Sequence, residues 1–555
     1  MSRCCTLGKT LPRRTSNRPC QRSLGQTRPG IAEPASPRQA HSHRGCRDPE
    51  PRSLRSARRL AILIGLGAPI VDERPNILFI CTDQQRYDAL GCYGNPRIQT
   101  PAIDGLAGEG VLFEQCYVQN PVCAPARASL ITGRYVHTHG LWANGVALPP
   151  GVPLLSRALA DDGYDCGLIG KLHLGPAFGG RTEERLDDGF RLFQWAHDPS
   201  HRSPENQYHR WLEATFPDLY AAALTRDRDQ GDGALTFDNM PTEAHYSRWV
   251  GEQTIDFLDR GRDPERPFFL WANFYDPHHP FIAPPEYLAR YDPAQMPRPI
   301  GHLGSLATKP EIQRQITRAS YAGHARGYAD HSADEIQRIV AAYYAMVTLI
   351  DGEVGRMLAA LVQLGLARNT LVGFTSDHGE MLGDHELLLK GPMFYEGAVR
   401  VPLILRWPGH LPAGARRSEL VEWMDLCPTF LEAAGAPPLP GSQARSLLPL
   451  ARDDADAGAR GWALCEYRDS GHPYDPPVQV TMLRRGQYKI CVHHGPPATD
   501  RPRTGELYDL AADPDELTNL WDDPGSRQIR VELEQYLLDV LVATEDRSAA
   551  REAFW

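Results

Sequence analysis

Six short strings in this 555-residue chain carry side chains able to do chemistry. TDQQ (82–85) and SDHGE (376–380) offer Asp83, Gln84, Asp377 and His378. That set is oxygen-rich with one imidazole, which suits a hard or borderline divalent cation. CAPARASLITGR (123–134) sets Cys123 before a run with helix character, with Pro125 near its first turn. At a helix N-terminus the peptide dipoles favour negative charge developing on a nucleophile. GKLHLG (170–175) supplies Lys171 and His173, FYDPHHPF (274–281) supplies His278, and GDHELLLKG (383–391) supplies Lys390. A cation site, a nucleophile and proton carriers are the parts of a hydrolytic centre. Taken singly, each string is equally a buried thiol, a polar loop cap or a surface pair; their placement on the fold has to decide.

The elements that must position these residues are legible. Ile77 to Cys81 and Leu371 to Phe374 are continuous apolar runs, read as strands buried on both faces, and they run into Asp83 and Asp377. In parallel α/β sheets the carboxyl edge of the strands is where ligands bind. Further strands are expected over 165–171, 267–274 and 401–407. The segment ADEIQRIVAAYYAMVTLIDGEVGRMLAALVQLG is apolar at three- and four-residue intervals, as a helix requires. The expected fold class is therefore α/β, a large mixed, mostly parallel sheet sandwiched by helices. Residues 196–250 and 291–330 lack clear periodicity and read as long insertions suited to substrate selection. Trp195, His201, His209, Trp211 and Trp249 could there stack on a sugar ring or serve as core. GAPPLPG marks a boundary, after which short strands and a closing helix over 526–543 predict a smaller α+β subdomain. The expected organisation is a basic N-terminal segment over 1–73, a catalytic domain over 74–440 and an antiparallel-sheet subdomain over 441–555.

Composition excludes several functions. Residues 1–60 hold fourteen Lys and Arg against three acids, so the other 495 residues carry −21 of the net −10. A folded part that acidic makes nucleic acid an unexpected partner. The basic head is poor in aromatics and is expected not to fold. No run of about 18 apolar residues occurs, so no membrane span is expected. Four of twelve cysteines lie in the head, and the rest show no metal-type or disulfide-type spacing. They are expected to be reduced, which favours the cytoplasm. The alternative is export, should residues 57–71 act as a signal. Association into a homo-oligomer stays open.

The C-x-P-x-R pattern at Cys123, Pro125 and Arg127, followed by TGR, resembles the signature of the type I sulfatases of the alkaline-phosphatase-like superfamily. Ala126 stands where most members carry Ser. Six motifs match in the family's order between about residues 74 and 520. The resemblance implies that Cys123 is oxidised to Cα-formylglycine by a formylglycine-generating enzyme, with Arg127 as its companion. It implies one divalent metal ion, Ca2+ or alternatively Mn2+ or Mg2+, held by Asp83, Gln84, Asp377, His378 and the modified Cys123. Gln84 and His378 replace the more usual Asp and Asn. One hydroxyl of the hydrated aldehyde attacks sulfur and expels the alcohol; the other then loses its proton and ejects sulfate. By resemblance, Lys171 and Lys390 bind the ester, His173 takes the second hydroxyl's proton, and His278 is the general acid. His279 and His385 are expected either to be structural or to support the residues that touch the substrate and metal, and Asn144 to reach the site. The implied function is hydrolysis of a small-molecule or carbohydrate sulfate ester. Phosphonate monoester or phosphodiester hydrolysis on the same fold is the alternative, and a binding protein is a third reading if Cys123 is unmodified.

Overall fold

A computed structural model describes residues 74–546, apart from 226–235, 238–239, 302–303, 455–456 and 496–502. The expectations for residues 1–73 fall outside the described residues.

The centre is an eight-stranded sheet. Its strands in chain order are β1 (Asn76–Thr82), β2 (Val111–Tyr117), β3 (Asp165–Gly170), β4 (Leu192–Trp195), β5 (Phe268–Asn273), β6 (Thr370–Ser376), β7 (Arg400–Arg406) and β8 (Ala415–Glu422). Their spatial order is β8-β2-β7-β6-β1-β5-β3-β4. All neighbours pair in parallel except β7, which is antiparallel to both β6 and β2. The expected mostly parallel, mixed sheet is what forms.

Both faces are covered because alternate residues feed separate cores. Along β1, Ile77, Phe79 and Cys81 enter one cluster and Leu78 and Ile80 the other. The first cluster receives α2 (Cys123–Thr132), α3 (Leu155–Asp161) and α6 (Leu426–Ala434); the second receives α1 (Pro101–Gly108), α4 (Tyr246–Asp256) and α5 (Ala333–Gln363). Burying each such Leu, Ile or Phe contributes about 1.5–3 kcal/mol. The long α5 starts at a capping box in which the Ser332 and Glu335 side chains bond each other's backbone amides.

Strands β9 (Trp462–Arg468), β10 (Gln479–Arg485), β11 (Tyr488–His494) and β12 (Thr504–Asp509) form an antiparallel C-terminal sheet in sequential order. Its one face packs on α7 (Arg527–Ala543) through Leu464, Ile490, Leu507, Leu533 and Leu537. Its other face sends Cys465, Met482 and Tyr508 into the core beneath α2.

Two readings of the insertions change. Residues 196–250 are more regular than their sequence suggests, with helices over Gln207–Thr215 and Pro217–Thr225. Trp195, His201, His209 and Trp249 are buried, and half-buried Trp211 packs beside Tyr208 and Phe216. These rings pack against one another and the core. No helix among the described residues is long and apolar enough to cross a membrane.

Candidate active site

The sheet register brings the site together. β1 and β6 run parallel with Thr82 opposite Ser376, so the next residues, Asp83 and Asp377, emerge side by side. On the other flank β5 ends at Asn273 beside Cys81 and β3 ends at Gly170, one residue before Lys171. Gly170 has φ +96°, and a Cβ there would collide with the Asn273 carbonyl oxygen. Only glycine lets these two strand ends lie so close.

Cys123 is the first residue of α2 and follows an extended Val122. Side chains satisfy amides that the helix start leaves unpaired: Val122 donates to Asn120 Oδ1 at 2.8 Å and Ala124 to Asn144 Oδ1 at 3.1 Å. The Cys123 Sγ is buried among charged side chains. It lies 3.0 Å from Lys390 Nζ, 3.1 Å from His378 Nε2 and 3.6 Å from Asp83 Oδ1. Burial and Asp83 push the thiol up, but Lys171, Lys390 and His378 outweigh them and hold it well below its ordinary value.

Asp83 also receives Lys171 Nζ at 2.5 Å, and Arg127 NH2 lies 3.7 Å away. Burial opposes ionisation, yet the ammonium groups of Lys171 and Lys390 and the Arg127 guanidinium hold the Asp83 carboxyl well below the usual range. Fully buried Arg127 donates to Asp377 Oδ2 at 2.7 Å, to the Lys171 carbonyl at 2.7 Å and to Asn273 Oδ1 at 3.0 Å. It therefore fixes three strand ends and the helix against one another. The Gln84 amide N–H donates to Asp377 Oδ1 at 3.1 Å, while its side-chain oxygen accepts from Lys390 Nζ at 2.7 Å.

Asp83, Cys123, Asp377 and His378 offer ligand atoms that all lie within 4.8 Å of one another, and all four are buried. His378 Nδ1 donates to the Gly379 carbonyl at 2.9 Å, and Nε2 faces Asp83 and Asp377. Burial and Lys390 oppose its charge, but Asp377 and Cys123 raise its pKa, so a divalent ion would take the place of the Nε2 proton. This donor chemistry fits a divalent cation.

The remaining expected residues line the same edge. The His278 Nδ1 lies 2.5 Å from the His279 carbonyl, and its ring is flanked by Tyr275 at 4.7 Å and His279 at 4.2 Å. Burial, then Lys390 and His279, push His278 well below its ordinary value, so the free protein holds it neutral. The His173 amide is anchored by Glu183 Oε2 at 3.0 Å, and its ring meets the His197 ring edge-on at 4.5 Å. Burial, then Lys171 and Arg127, push His173 well below its ordinary value as well, leaving a neutral imidazole able to accept a proton. His385 is stacked on Tyr395 at 3.8 Å, in keeping with a structural role.

Three residues at the site were not singled out from sequence. Glu380 accepts the Gln84 side-chain amide and the backbone amides of Leu382 and Leu389. Its signal was present in SDHGE, one residue beyond the Gly that follows His378. Asn273 holds Arg127, and burial, then the charges of Glu380 and Cys123, raise the Tyr321 phenol.

The sulfatase family model matches residues 75–436, and a model of the C-terminal region of N-sulphoglucosamine sulphohydrolase matches residues 383–543. An uncharacterized sulfatase of Escherichia coli (strain K12), YidJ, is 30% identical over 489 residues, covering 85% of this chain and 88% of the relative. An arylsulfatase of Clostridium perfringens is 31% identical over 463 residues, covering 80% and 90%. Among solved structures, the phosphonate monoester hydrolase of Agrobacterium radiobacter superposes with a TM-score of 0.73 at 26% identity, covering 86% of this chain and 97% of that one. The chain belongs to the sulfatase family, of the alkaline-phosphatase-like superfamily. Its enzyme class is accordingly that of a sulfuric ester hydrolase.

Proposed function

We propose that the protein hydrolyses a sulfate monoester to an alcohol and inorganic sulfate, using Cys123 converted to formylglycine, with a sulfated carbohydrate as the substrate class. The observation that carries this is the convergence of Lys390, His378 and Asp83 on Cys123 Sγ at the N-terminus of α2. The C-terminal match to a sulphoglucosamine sulphohydrolase supports the carbohydrate class.

Asp83, Gln84, Asp377, His378 and the converted Cys123 would hold one divalent ion, Ca2+ or alternatively Mn2+ or Mg2+. When bound, such an ion supplies Lewis acidity to the nucleophile and to a sulfate oxygen. Lys171 and Lys390 counter the ester's negative charge, and Arg127 keeps Asp377 and the helix start in place. The neutral His173 takes the proton from the second hydroxyl of the hydrated aldehyde. His278 donates to the leaving oxygen; the charge of the bound ester raises its basicity from the depressed value of the free protein. Conversion of Cys123 makes a formylglycine-generating enzyme an obligatory partner. The same reading keeps 74–440 as catalytic domain, 441–555 as C-terminal subdomain and 1–73 as a separate basic segment.

The test is the mass of tryptic peptide 98–127 from protein made in its native host. The converted peptide is lighter by the exchange of one sulfur and two hydrogens for one oxygen. A peptide carrying only the thiol overturns the reading and leaves a binding protein. A second reading, phosphonate monoester or phosphodiester hydrolysis, is favoured by the 26%-identical Agrobacterium structure. Comparison of kcat/KM on nitrophenyl sulfate and phenyl phosphonate esters decides between them.

A further inference from the structure

A row of rings leads from the site towards solvent. His279 Nδ1 lies 3.3 Å from the Gln84 amide nitrogen. Next comes Tyr321, with ring centroids 5.3 Å from His279, then His472 at 5.4 Å from Tyr321, and finally His324, stacked on His472 at 4.2 Å. The rings come from three segments distant in sequence: the loop after β5, the 291–330 insertion and the loop between β9 and β10. His279, Tyr321 and His472 are half-buried and His324 is exposed, so the row spans the mouth of the site.

The turn that carries the central ring is strained. Tyr321 and Ala322 both adopt left-handed backbone, with φ +51° and +54°. Such conformations are strained and persist only where their surroundings over-determine them. Here the short Ala319–Ser320 and Ala325–Arg326 pair brackets the turn, and Tyr474 is hydrogen-bonded to the Ala322 backbone. The strain places a polar group: the Tyr321 hydroxyl is buried and has no hydrogen-bond partner among the described residues. Burial, then the charges of Glu380 and Cys123, raise its pKa, so it stays a donor.

We propose that Tyr321, His324 and His472 form the subsite for the alcohol portion of the ester, and that this portion is a sugar ring. The inference rests on the sulfate-ester reading and adds the residues that choose the alcohol. An aryl group could cover the ring faces, but it would leave the Tyr321 hydroxyl unpaired. A pyranose offers a C–H face to the rings and hydroxyls that pair with the phenol and with the donor and acceptor of each imidazole. Leaving a buried donor unpaired costs about 1–3 kcal/mol, or roughly ten- to a hundred-fold in discrimination.

The test compares glucose 6-sulfate and N-acetylglucosamine 6-sulfate with 4-nitrophenyl sulfate on the aldehyde-bearing enzyme, as a ratio of kcat/KM. Tyr321→Phe is expected to lower the sugar-to-nitrophenyl ratio about ten-fold or more, chiefly through a higher KM for the sugar esters. His472→Ala should move the ratio in the same direction. A merely structural role would slow all three esters together and leave the ratio alone, and that result in both variants overturns the proposal. Should one variant fail to fold, the other decides. A wild-type enzyme that turns over nitrophenyl sulfate but refuses both sugar sulfates also overturns it, while the sulfate-ester reading survives. Turnover of none of the three sinks that reading itself.

Discussion

At Cys123 the local charges point one way. Two ammonium groups and an imidazole face Sγ, so whatever occupies that position is stabilised as an anion. A geminal diol uses both of its hydroxyls, one to attack and one to eject sulfate, whereas serine has only one. Cys123→Ser is therefore expected to release about one equivalent of alcohol per site and then stall, with steady turnover down at least about 10²-fold. Steady turnover at the wild-type rate, followed with nitrophenyl sulfate, would falsify the diol mechanism. His278 faces the same atom, and for the general acid proposed there the need for a proton grows with the basicity of the leaving group. His278→Ala should slow alkyl sulfates by about 10²–10⁴-fold and nitrophenyl sulfate far less; equal losses on both esters would exclude it as the acid. Most of these residues were legible because each follows an apolar run or sits inside a spaced motif. Asn273 and Tyr321 were not, since each is a single polar residue whose meaning comes only from what long-range pairing sets beside it.

The same contrast governs the elements. β1, β3, β5, β6 and β7 were readable because central strands buried on both faces carry unbroken apolar runs. β2, β4 and β8 were not: Glu114 and Gln115 interrupt β2, while β4 and β8 are the sheet's two edges with solvent along part of their length. At the start of α2, Asn144 reaches in from a separate loop to accept from Ala124, so Asn144→Ala should cost about 1 kcal/mol and loosen the seat of Cys123. Thermal unfolding together with kcat tests this, and a loss of neither would detach the loop from the helix. The C-terminal sheet docks through Glu506 of β12, which accepts from Gln313, Tyr395 and Tyr508 at 3.0, 3.1 and 2.6 Å. Burial pushes this carboxyl up, but His493, 3.7 Å away, and Lys309 outweigh it and hold it at about 2. A carboxylate depressed in the folded state contributes stability above its unfolded value near 4.3, and loses it as pH falls from there through about 2. The contribution is on the order of 3 kcal/mol. Glu506→Gln should therefore be less stable than wild type at pH 6, with the gap narrowing to about half by pH 3 in urea titrations. A gap independent of pH would mean that the carboxylate's charge does not hold the sheet.

Over the whole molecule, residues following β1 and β6 and the first residue of α2 meet at one sheet edge, so the ion proposed there would tie together segments from residue 83 to residue 378. Binding to the folded state alone makes it a stabiliser by mass action, worth about 2.7 kcal/mol at a hundred-fold excess over Kd. The described part is large, and at about 2 cal/mol/K per residue its unfolding entropy is on the order of 1 kcal/mol/K. The expected shift in Tm is therefore only about 3 °C, which sets the precision the experiment needs. Stripping the purified protein with a chelator should lower Tm by that amount, and adding back Ca2+, Mn2+ or Mg2+ separately should restore it in the order of their affinities. In Asp377→Asn the response should shrink, because one of the two carboxylates facing His378 Nε2 loses its charge. This readout needs no substrate and no aldehyde, so it tests the donor set independently of the chemistry at Cys123. A Tm indifferent to chelator and to all three ions would leave the charges of Arg127, Lys171 and Lys390 to balance the buried carboxylates, and the site would then bind anions without a metal.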